Sequence, residues 1–302
     1  MTDSQVIKAG PAPGNRSSRS SVNRRWLVVG LLAPAVLVLG LTFLAPLFLL
    51  FRMSLNQGGK VGQVVPDFSL STYVNIVADP FYWRVTWNTV LLCVVVVVCT
   101  IVVSYPIALF LRNLKSGWRG ALITLTIAPL LISQIVRTYG WMVILGSGGV
   151  LEGILSAFGR QPGSLGLANN FTGVVIALVE IEMPYAILGM LAGFGLLNDE
   201  SKHAASSLGA GPLRVFLRVT LPLSLPGIFT GALLVLVHTI SSFVTPILVG
   251  GGRVFVLATE IYSNATLTLN WPLAAGLSVC LIVLFGILVG FYLRATRPSG
   301  GG

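Results

Sequence analysis

Residues 198–228 read NDESKHAASSLGAGPLRVFLRVTLPLSLPGI and form the longest polar-to-amphipathic interruption in the C-terminal half of a mostly apolar chain. The stretch begins with side chains that cap helices, since Asn198, Asp199 or Ser201 can accept a hydrogen bond from the first free N–H groups of a helix. Gly211-Pro212 is predicted to end that helix, because proline lacks the backbone donor and disfavours a helical residue before it. We expect a second amphipathic piece over 213–221, closed by Pro222 and again by Pro226.

The helix predicted at the start of this stretch carries a small-residue face. Ala204, Ala205, Leu208 and Gly209 fall at helical spacing on that face, which another surface can approach closely. The physical interpretation is a short helix that lies outside the membrane between two spans. The alternative is an ordinary interhelical loop that contacts only lipid head groups.

The spacing of this stretch resembles a known motif. Ala204-Ala205 is followed after three residues by Gly209, and after nine more by Val219, Thr220, Leu221 and Pro222. This resembles the cytoplasmic coupling motif of binding-protein-dependent ABC importer permeases, in which Glu-Ala-Ala, three residues, Gly, nine residues and Ile-x-Leu-Pro follow one another. His203 stands where the motif has Glu, and Glu200 lies one turn earlier. The resemblance implies that His203, Ala204, Ala205, Gly209, Val219, Leu221 and Pro222 couple the chain to an ATPase.

Composition predicts a membrane protein. The chain has 302 residues, of which 55% are hydrophobic and only 9% are charged, and its mean hydropathy is +0.89. Soluble domains carry about 25% charged residues. Six apolar blocks are long enough to cross the bilayer as helices, which takes about 20 residues each; they cover 27–51, 85–111, 121–145, 171–197, 223–250 and 273–293. The predicted fold is therefore an all-α membrane protein with six transmembrane helices.

The net charge of +10 is distributed on one side of the predicted membrane. When the N-terminus is placed in the cytoplasm, the whole excess of Lys and Arg falls in cytoplasmic segments, as the positive-inside rule expects. This argues against a nucleic-acid partner and for attraction to anionic lipid. It also places both termini in the cytoplasm.

The predicted organisation follows from these blocks. Residues 1–25 form a disordered basic cytoplasmic tail, 26–83 the first transmembrane helix and an outer loop, and 84–294 the main transmembrane domain. Within that domain, 198–222 form the cytoplasmic coupling segment, and 295–302 form a second tail. The first apolar block is too long for a signal peptide, so we expect it to be retained as an anchor.

The fourth predicted span contains two acidic residues, Glu180 and Glu182, followed by Pro184 and Tyr185. A carboxylate at membrane depth is costly unless it is paired or hydrated, and it therefore marks a candidate functional site. The two acids lie about 200° apart around a helix, on different faces. Pro184 leaves the carbonyl of Glu180 without its helical donor, which adds an acceptor beside that carboxylate. Glu180, Glu182 and Tyr185 are the candidate substrate pathway, and the alternative is that both acids are structural.

Two further ionisable residues lie in predicted spans. Arg137 needs a partner or must extend towards the interface, and His238 is interpreted as a packing residue. No cofactor site is indicated, and no side chains occur at metal-ligand spacing. The Gly-rich segments 146–149 and 250–253 lack the Lys-Ser/Thr of a nucleotide-binding loop, so the sequence predicts no ATP hydrolysis by this chain.

The resemblance covers roughly 84–294 and implies a type 1 transmembrane domain in the inner membrane of a bacterium. It implies a transport subunit rather than an enzyme, with a second permease chain, two cytoplasmic ATP-binding subunits and an outer solute-binding protein as partners. Residues 137–141 (RTYGW) and 270–273 (NWPL) are similar to the spermidine/putrescine branch, which makes a polyamine the expected substrate. The alternatives are an importer of iron, thiamine, opines or another small solute, a secondary transporter or channel, and, least favoured, an intramembrane enzyme.

Overall fold

A computed structural model describes residues 20–58, 62–114, 117–157, 166–197 and 199–296. Most of the predicted tails, 1–19 and 297–302, lie outside the described residues. The helices are α1 Ser20–Ser54, α2 Ser71–Ala78, α3 Pro80–Asn113, α4 Trp118–Ile127, α5 Gln134–Leu145, α6 Val150–Ala157, α7 Phe171–Gly193, α8 Asp199–Ser207, α9 Pro212–Val215, α10 Leu221–Ser241, α11 Val244–Leu248, α12 Leu257–Thr266 and α13 Trp271–Ala295. Strands β1 (Gln57–Gly58) and β2 (Val64–Val65) pair antiparallel, with Gln57 opposite Val65.

The chain divides into two compact units, Met1–Arg52 and Met53–Gly302. The described part of the first unit is one helix, whose apolar side chains from Leu32 onwards are largely exposed. Within this helix, Leu32–Ser54 is long and apolar enough to cross a membrane. The second unit contains the remaining elements and both candidate sites.

Five helical segments of the described chain are long and apolar enough to span a bilayer; besides Leu32–Ser54 they are Pro80–Asn113, Phe171–Gly193, Pro212–Ser241 and Trp271–Arg294. The predicted third span, 121–145, differs from expectation because it is not one helix. Trp118–Leu131 and Gln134–Ile154 meet at an angle of 91°. A 3₁₀ turn at Ala128–Leu131 contains Pro129, and the backbone of Ile132 and Ser133 is extended. The number of spans is six if this bent pair counts as one.

The fifth span is continuous where prolines were expected to end it. Helical backbone runs from Pro212 to Ser241, so the prediction that Pro222 and Pro226 close the amphipathic piece is wrong. Pro222 lies in the first turn of α10, where its missing N–H is tolerated. A π-helical turn at Phe216–Thr220 precedes it, with the Leu221 N–H donating to the Phe216 carbonyl. The span is interrupted after Ser241, because α10 ends there and α11 begins at Val244.

Helix α7 lies at the centre of the main hydrophobic core and packs against α3 and α10. The core includes Leu92, Val174, Leu178, Met190 and Val235, all buried. Glycines permit the closest helix contact. A Cβ atom built on Gly189 would lie 2.8 Å from Gly231 Cα, and one built on Gly193 would lie 2.4 Å from Gly227 Cα. Two glycines spaced four residues apart on each helix therefore bring the backbones of α7 and α10 together, as small-residue crossings do in membranes.

A smaller core joins the elements at the other end of the second unit. Buried Ile76, Val85, Leu257 and Leu277 bring α2, α3, α12 and α13 together. The N–H of Leu257 donates to the Thr89 hydroxyl at 2.9 Å, which fixes the start of α12 against α3. This cluster therefore connects α3 to α13, whereas α7 packs against α3 and α10.

Candidate functional site

Glu180 on α7 binds two side chains of α5. Arg137 Nη2 donates to Glu180 Oε1 at 3.0 Å, and Trp141 Nε1 donates to Glu180 Oε2 at 3.0 Å. Arg137 and Trp141 are four residues apart and therefore lie on the same face of α5. The Arg137 side chain is 10% exposed and that of Glu180 39%. Each oxygen of the Glu180 carboxylate thus has a protein donor, and the ion pair joins α5 to α7.

The free carbonyl that the sequence predicted next to Pro184 also has a donor. Arg137 Nη2 donates to the Glu180 carbonyl at 3.2 Å, and Arg137 Nη1 donates to the Pro129 carbonyl at 3.4 Å. The guanidinium therefore bridges the turn before α5 and the proline-interrupted turn of α7. Sequence reasoning required a partner for Arg137, and the structure places Glu180 in that role.

Glu182 has a different environment from Glu180, as their separation around the helix predicted. It is 2% exposed, and its Oε2 has no hydrogen-bond partner in the described part of the chain. Glu182 is one of the residues that line a cavity of about 410 Å³. Burial of an acid without a partner is costly, so its position needs a functional explanation.

The cavity lies at the bend of the third span, between α5, α7 and α10. Its lining consists of Leu130, Leu131, Ile132, Ser133, Gln134, Arg137, Ile181, Glu182, Tyr185 and His238. Tyr185 and His238 form an aromatic pair with ring centroids 4.0 Å apart and planes inclined by 35°. The bend creates this space, because the extended Ile132–Ser133 link leaves room between the two helical halves.

The structure brings together part of the predicted substrate pathway. Glu182 and Tyr185 line the cavity, whereas Glu180 is outside its lining and faces Arg137 and Trp141. His238, which was interpreted as a packing residue, packs against Tyr185 and also lines the cavity. No spacing rule connects α7 to α10, so only the fold shows that His238 contacts Tyr185. Among the described residues, no group of three His, Cys, Asp or Glu side chains could hold a metal ion.

The predicted coupling segment contains a helix that is followed by a turn at Gly209. After α8, the Gly209 N–H donates to the Ser206 carbonyl at 3.0 Å and the Ala210 N–H to the Ala205 carbonyl at 3.1 Å. This is a Schellman arrangement, and it requires a residue in the left-handed region. Gly209 has φ +81°, and a Cβ atom there would meet nothing within 4 Å. The motif glycine is thus needed here for its backbone conformation. The capping candidate Asn198 lies outside the described residues.

Apolar side chains are exposed around this turn. Leu208 is 89% exposed and Leu213 70%. An open groove of about 550 Å³ runs along Gly209, Gly211, Pro212, Leu213, Arg214, Leu217 and Arg218. Of the predicted coupling residues, His203, Ala204, Gly209 and Pro222 are exposed, while Ala205, Val219 and Leu221 are half-buried. Exposed leucines rimmed by arginines on a segment between two spans are typical of a protein-binding surface.

The sequence matches the family model for the inner membrane component of binding-protein-dependent transport systems over residues 61–297. The chain belongs to this family. It is therefore an inner-membrane importer permease, as the motif at 203–222 predicted.

Relatives of this permease include the spermidine/putrescine transport system permease protein PotB. The Haemophilus influenzae protein is 30% identical over 272 residues, covering 90% of this chain and 91% of the relative. The Escherichia coli K12 protein is 28% identical, covering 90% of this chain and 94% of the relative. The molybdenum transport system permease protein ModB of Azotobacter vinelandii is 30% identical over 215 residues, covering 68% and 89%. These matches confirm the predicted similarity to the spermidine/putrescine branch.

Solved structures show that the permease has the fold of ABC transporter membrane domains. A bacterial alginate ABC transporter, crystallised with an alginate-bound periplasmic protein, aligns with a TM-score of 0.72 and 20% identity, covering 91% of this chain and 96% of that chain. The MetNI methionine transporter aligns with a TM-score of 0.55 and 18% identity, covering 72% and 97%. At these identities the likeness concerns the fold alone.

Proposed function

We propose that this permease is one of two membrane chains in an ATP-driven importer of polyamines. The observation that carries the proposal is the surface from α8 to α10, on which four motif residues and the leucines Leu208 and Leu213 are exposed. The named activity of the PotB relatives supports a spermidine- or putrescine-like substrate. The complete importer then contains a second permease, two cytoplasmic ATP-binding subunits and an outer solute-binding protein.

In this assembly the coupling segment is cytoplasmic and receives the movement of an ATPase subunit. Leu208 and Leu213 bind an apolar groove of that subunit, and the exposed face of α8 around His203 and Ala204 lies against it. Burial of an exposed leucine stabilises a contact by about 1.5–3 kcal/mol. Six spans, with the bent pair counted as one, put both ends of the chain on the same side of the membrane, which is the cytoplasmic side in this proposal.

Continuous helix and close helix packing between this surface and the cavity support the proposal of mechanical coupling. Pro212–Ser241 is one continuous helical segment, so a displacement at α9 moves α10 as well. The glycine crossing joins α10 to α7 through backbone contact. Because α7 carries Glu180, Glu182 and Tyr185 and α10 carries His238, ATP-driven rocking alters the cavity between them. Such rigid-body motion opens the pathway to one side of the membrane at a time.

Reconstitution tests this proposal. The permease pair and its ATPase subunits are placed in liposomes, and uptake of radiolabelled spermidine and putrescine is measured with the solute-binding protein and ATP. We expect uptake that requires ATP and the binding protein. Polyamine uptake driven by an ion gradient without ATP, or ATP-driven uptake of another solute with none of polyamines, would overturn the assignment.

A further inference from the structure

We propose that the cavity at the bend of the third span binds one ammonium group of the substrate, with the Glu182 carboxylate as its counter-ion. Glu180 is a positioning residue for Arg137 and does not bind the ligand. The inference rests on the proposed function, since it assigns the part of a polyamine that this chain recognises. It adds His238 to the predicted pathway and separates the roles of the two acids.

The distribution of charge singles out Glu182. Arg137 and Glu180 form an ion pair at 3.0 Å, so their charges cancel. Glu182 is buried and Oε2 accepts no hydrogen bond from the described chain. A buried carboxylate needs a cation or a donor to offset its lost hydration. An ammonium group supplies both, because it carries one positive charge and three N–H donors.

The walls of the cavity fit an alkylammonium chain. Tyr185 and His238 present aromatic rings beside Glu182, and an ammonium group over an aromatic face is attracted by the ring quadrupole. Leu130, Leu131 and Ile132 provide apolar contacts for methylene groups. The volume of about 410 Å³ lies within the range of small-molecule sites.

The position of Arg137 explains why Glu180 and Glu182 have separate roles. Its guanidinium borders the same cavity as Glu182 and would repel an incoming cation if its charge were not balanced. Arg137 Nη2 donates to the carboxylate and to the carbonyl of Glu180; both bonds hold the guanidinium in place, and the carboxylate neutralises its charge. Glu180 therefore acts on ligand affinity through Arg137.

The alternative ligand for this cavity is a zwitterion, which bears both an ammonium and a carboxylate group. Arg137 Nε is buried and has no partner in the described structure, and a zwitterion could use it together with Glu182. The cancelled Arg137–Glu180 charge favours a cation instead. Comparison of 1,4-diaminobutane with 4-aminobutanoate separates these cases, because the two molecules have the same carbon chain and differ at one end.

The experiment measures the Kd of radiolabelled 1,4-diaminobutane on the purified complex of permeases and ATPase subunits, without the solute-binding protein. Glu182→Gln should raise the Kd about tenfold to a hundredfold, which corresponds to loss of a charged hydrogen bond. Glu182→Asp retains the charge and should bind more tightly than Glu182→Gln. Glu260→Gln, a carboxylate on α12 outside the cavity, is the matched control and should leave the Kd unchanged.

Double variants test the positioning role. Glu180→Gln should also raise the Kd, and Arg137→Gln in the same chain should restore it, because the unbalanced positive charge is removed. Arg137→Gln should not restore binding in Glu182→Gln. The Tm of each variant is measured beside its Kd, because a purely structural role of Glu180 predicts that the Kd changes only in parallel with the Tm, whereas the positioning role predicts a change in Kd at matched Tm.

The outcomes separate this inference from the proposed function. If the wild-type complex imports polyamines with ATP but Glu182→Gln binds 1,4-diaminobutane as well as the wild type, the ammonium site is wrong and the importer assignment stands. Tighter binding of 4-aminobutanoate than of 1,4-diaminobutane would overturn the ammonium site and show that the cavity binds a zwitterion. Absence of any ATP-driven polyamine import would instead overturn the proposed function.

Discussion

The glycine crossing of α7 and α10 gives the sharpest test of the packing. Gly189→Ala places a methyl group 2.8 Å from Gly231 Cα and 3.0 Å from the Gly231 backbone nitrogen. Carbon atoms pack best at about 3.5–4.0 Å, so the two helices must separate or shift. The neighbour is backbone, which cannot rotate away as a side-chain end can.

The expected loss of stability follows from two opposing effects. Replacing glycine by alanine inside a helix stabilises it by about 1 kcal/mol, whereas overpacking a closed core costs about 1–3 kcal/mol. At Gly290 on α13, a Cβ atom meets nothing within 4 Å, so Gly290→Ala should show only the favourable part. The favourable effect of alanine is common to both variants and cancels in their difference, which therefore reports the crossing itself and equals the overpacking cost of about 1–3 kcal/mol.

Thermal unfolding of the purified complex measures this difference. We expect Gly189→Ala to lower the Tm by several degrees and to reduce ATP-driven uptake, while Gly290→Ala leaves both unchanged or raises the Tm. Equal Tm values for the two variants would refute the close backbone contact. Gly189→Ala together with Gly231→Ala should lose less than the sum of the single losses, because both methyl groups force the same separation.

The remaining predictions concern the coupling surface and the ion pair. Gly209→Ala should lower uptake more than Gly211→Ala. Both sites have room for a Cβ atom, but only Gly209 has φ +81°, a conformation that costs a non-glycine residue about 1–2 kcal/mol. Equal uptake in the two variants would contradict this prediction. Leu208→Ser should weaken co-purification of the ATPase subunits and leave the thermal stability of the permease unchanged, because Leu208 is 89% exposed; full retention of the subunits would exclude Leu208 from the contact. Glu180→Ala should destabilise the membrane domain by about 1–3 kcal/mol, because Arg137 and Trp141 lose their acceptor, and Arg137→Gln should recover part of the loss in thermal unfolding.

The coupling region shows which structural features can be predicted from neighbouring residues alone. A helix at the start of this segment was predicted and is present as α8, but it ends at Ser207, before the predicted break at Gly211-Pro212, and a turn with Gly209 at φ +81° follows it. The same reasoning was wrong for Pro222 and Pro226. A proline ends a helix only when its missing donor and its ring cannot be accommodated, and the π turn at Phe216–Thr220 with the first turn of α10 accommodates Pro222.

The contacts around the cavity cannot be predicted from neighbouring residues alone. Two acids at membrane depth and Arg137 were recognisable as residues that need partners, and Pro184 correctly indicated a free carbonyl at Glu180. Which acid binds Arg137 depends on the rotation of α7 relative to α5, and that rotation is set by packing along the whole helix. The bend of 91° in the third span and the approach of His238 to Tyr185 depend on the same long-range packing.

The sequence by itself determined the membrane class, the approximate positions of the spans, the family and the coupling motif, because hydropathy, charge bias and fixed spacings are properties of neighbouring residues. Only the tertiary structure decided that Glu180 pairs with Arg137 while Glu182 lines a cavity with Tyr185 and His238. Arg137 and Glu180 are 43 positions apart in the sequence, and the geometry of such long-range contacts comes from how helices cross, bend and rotate against one another.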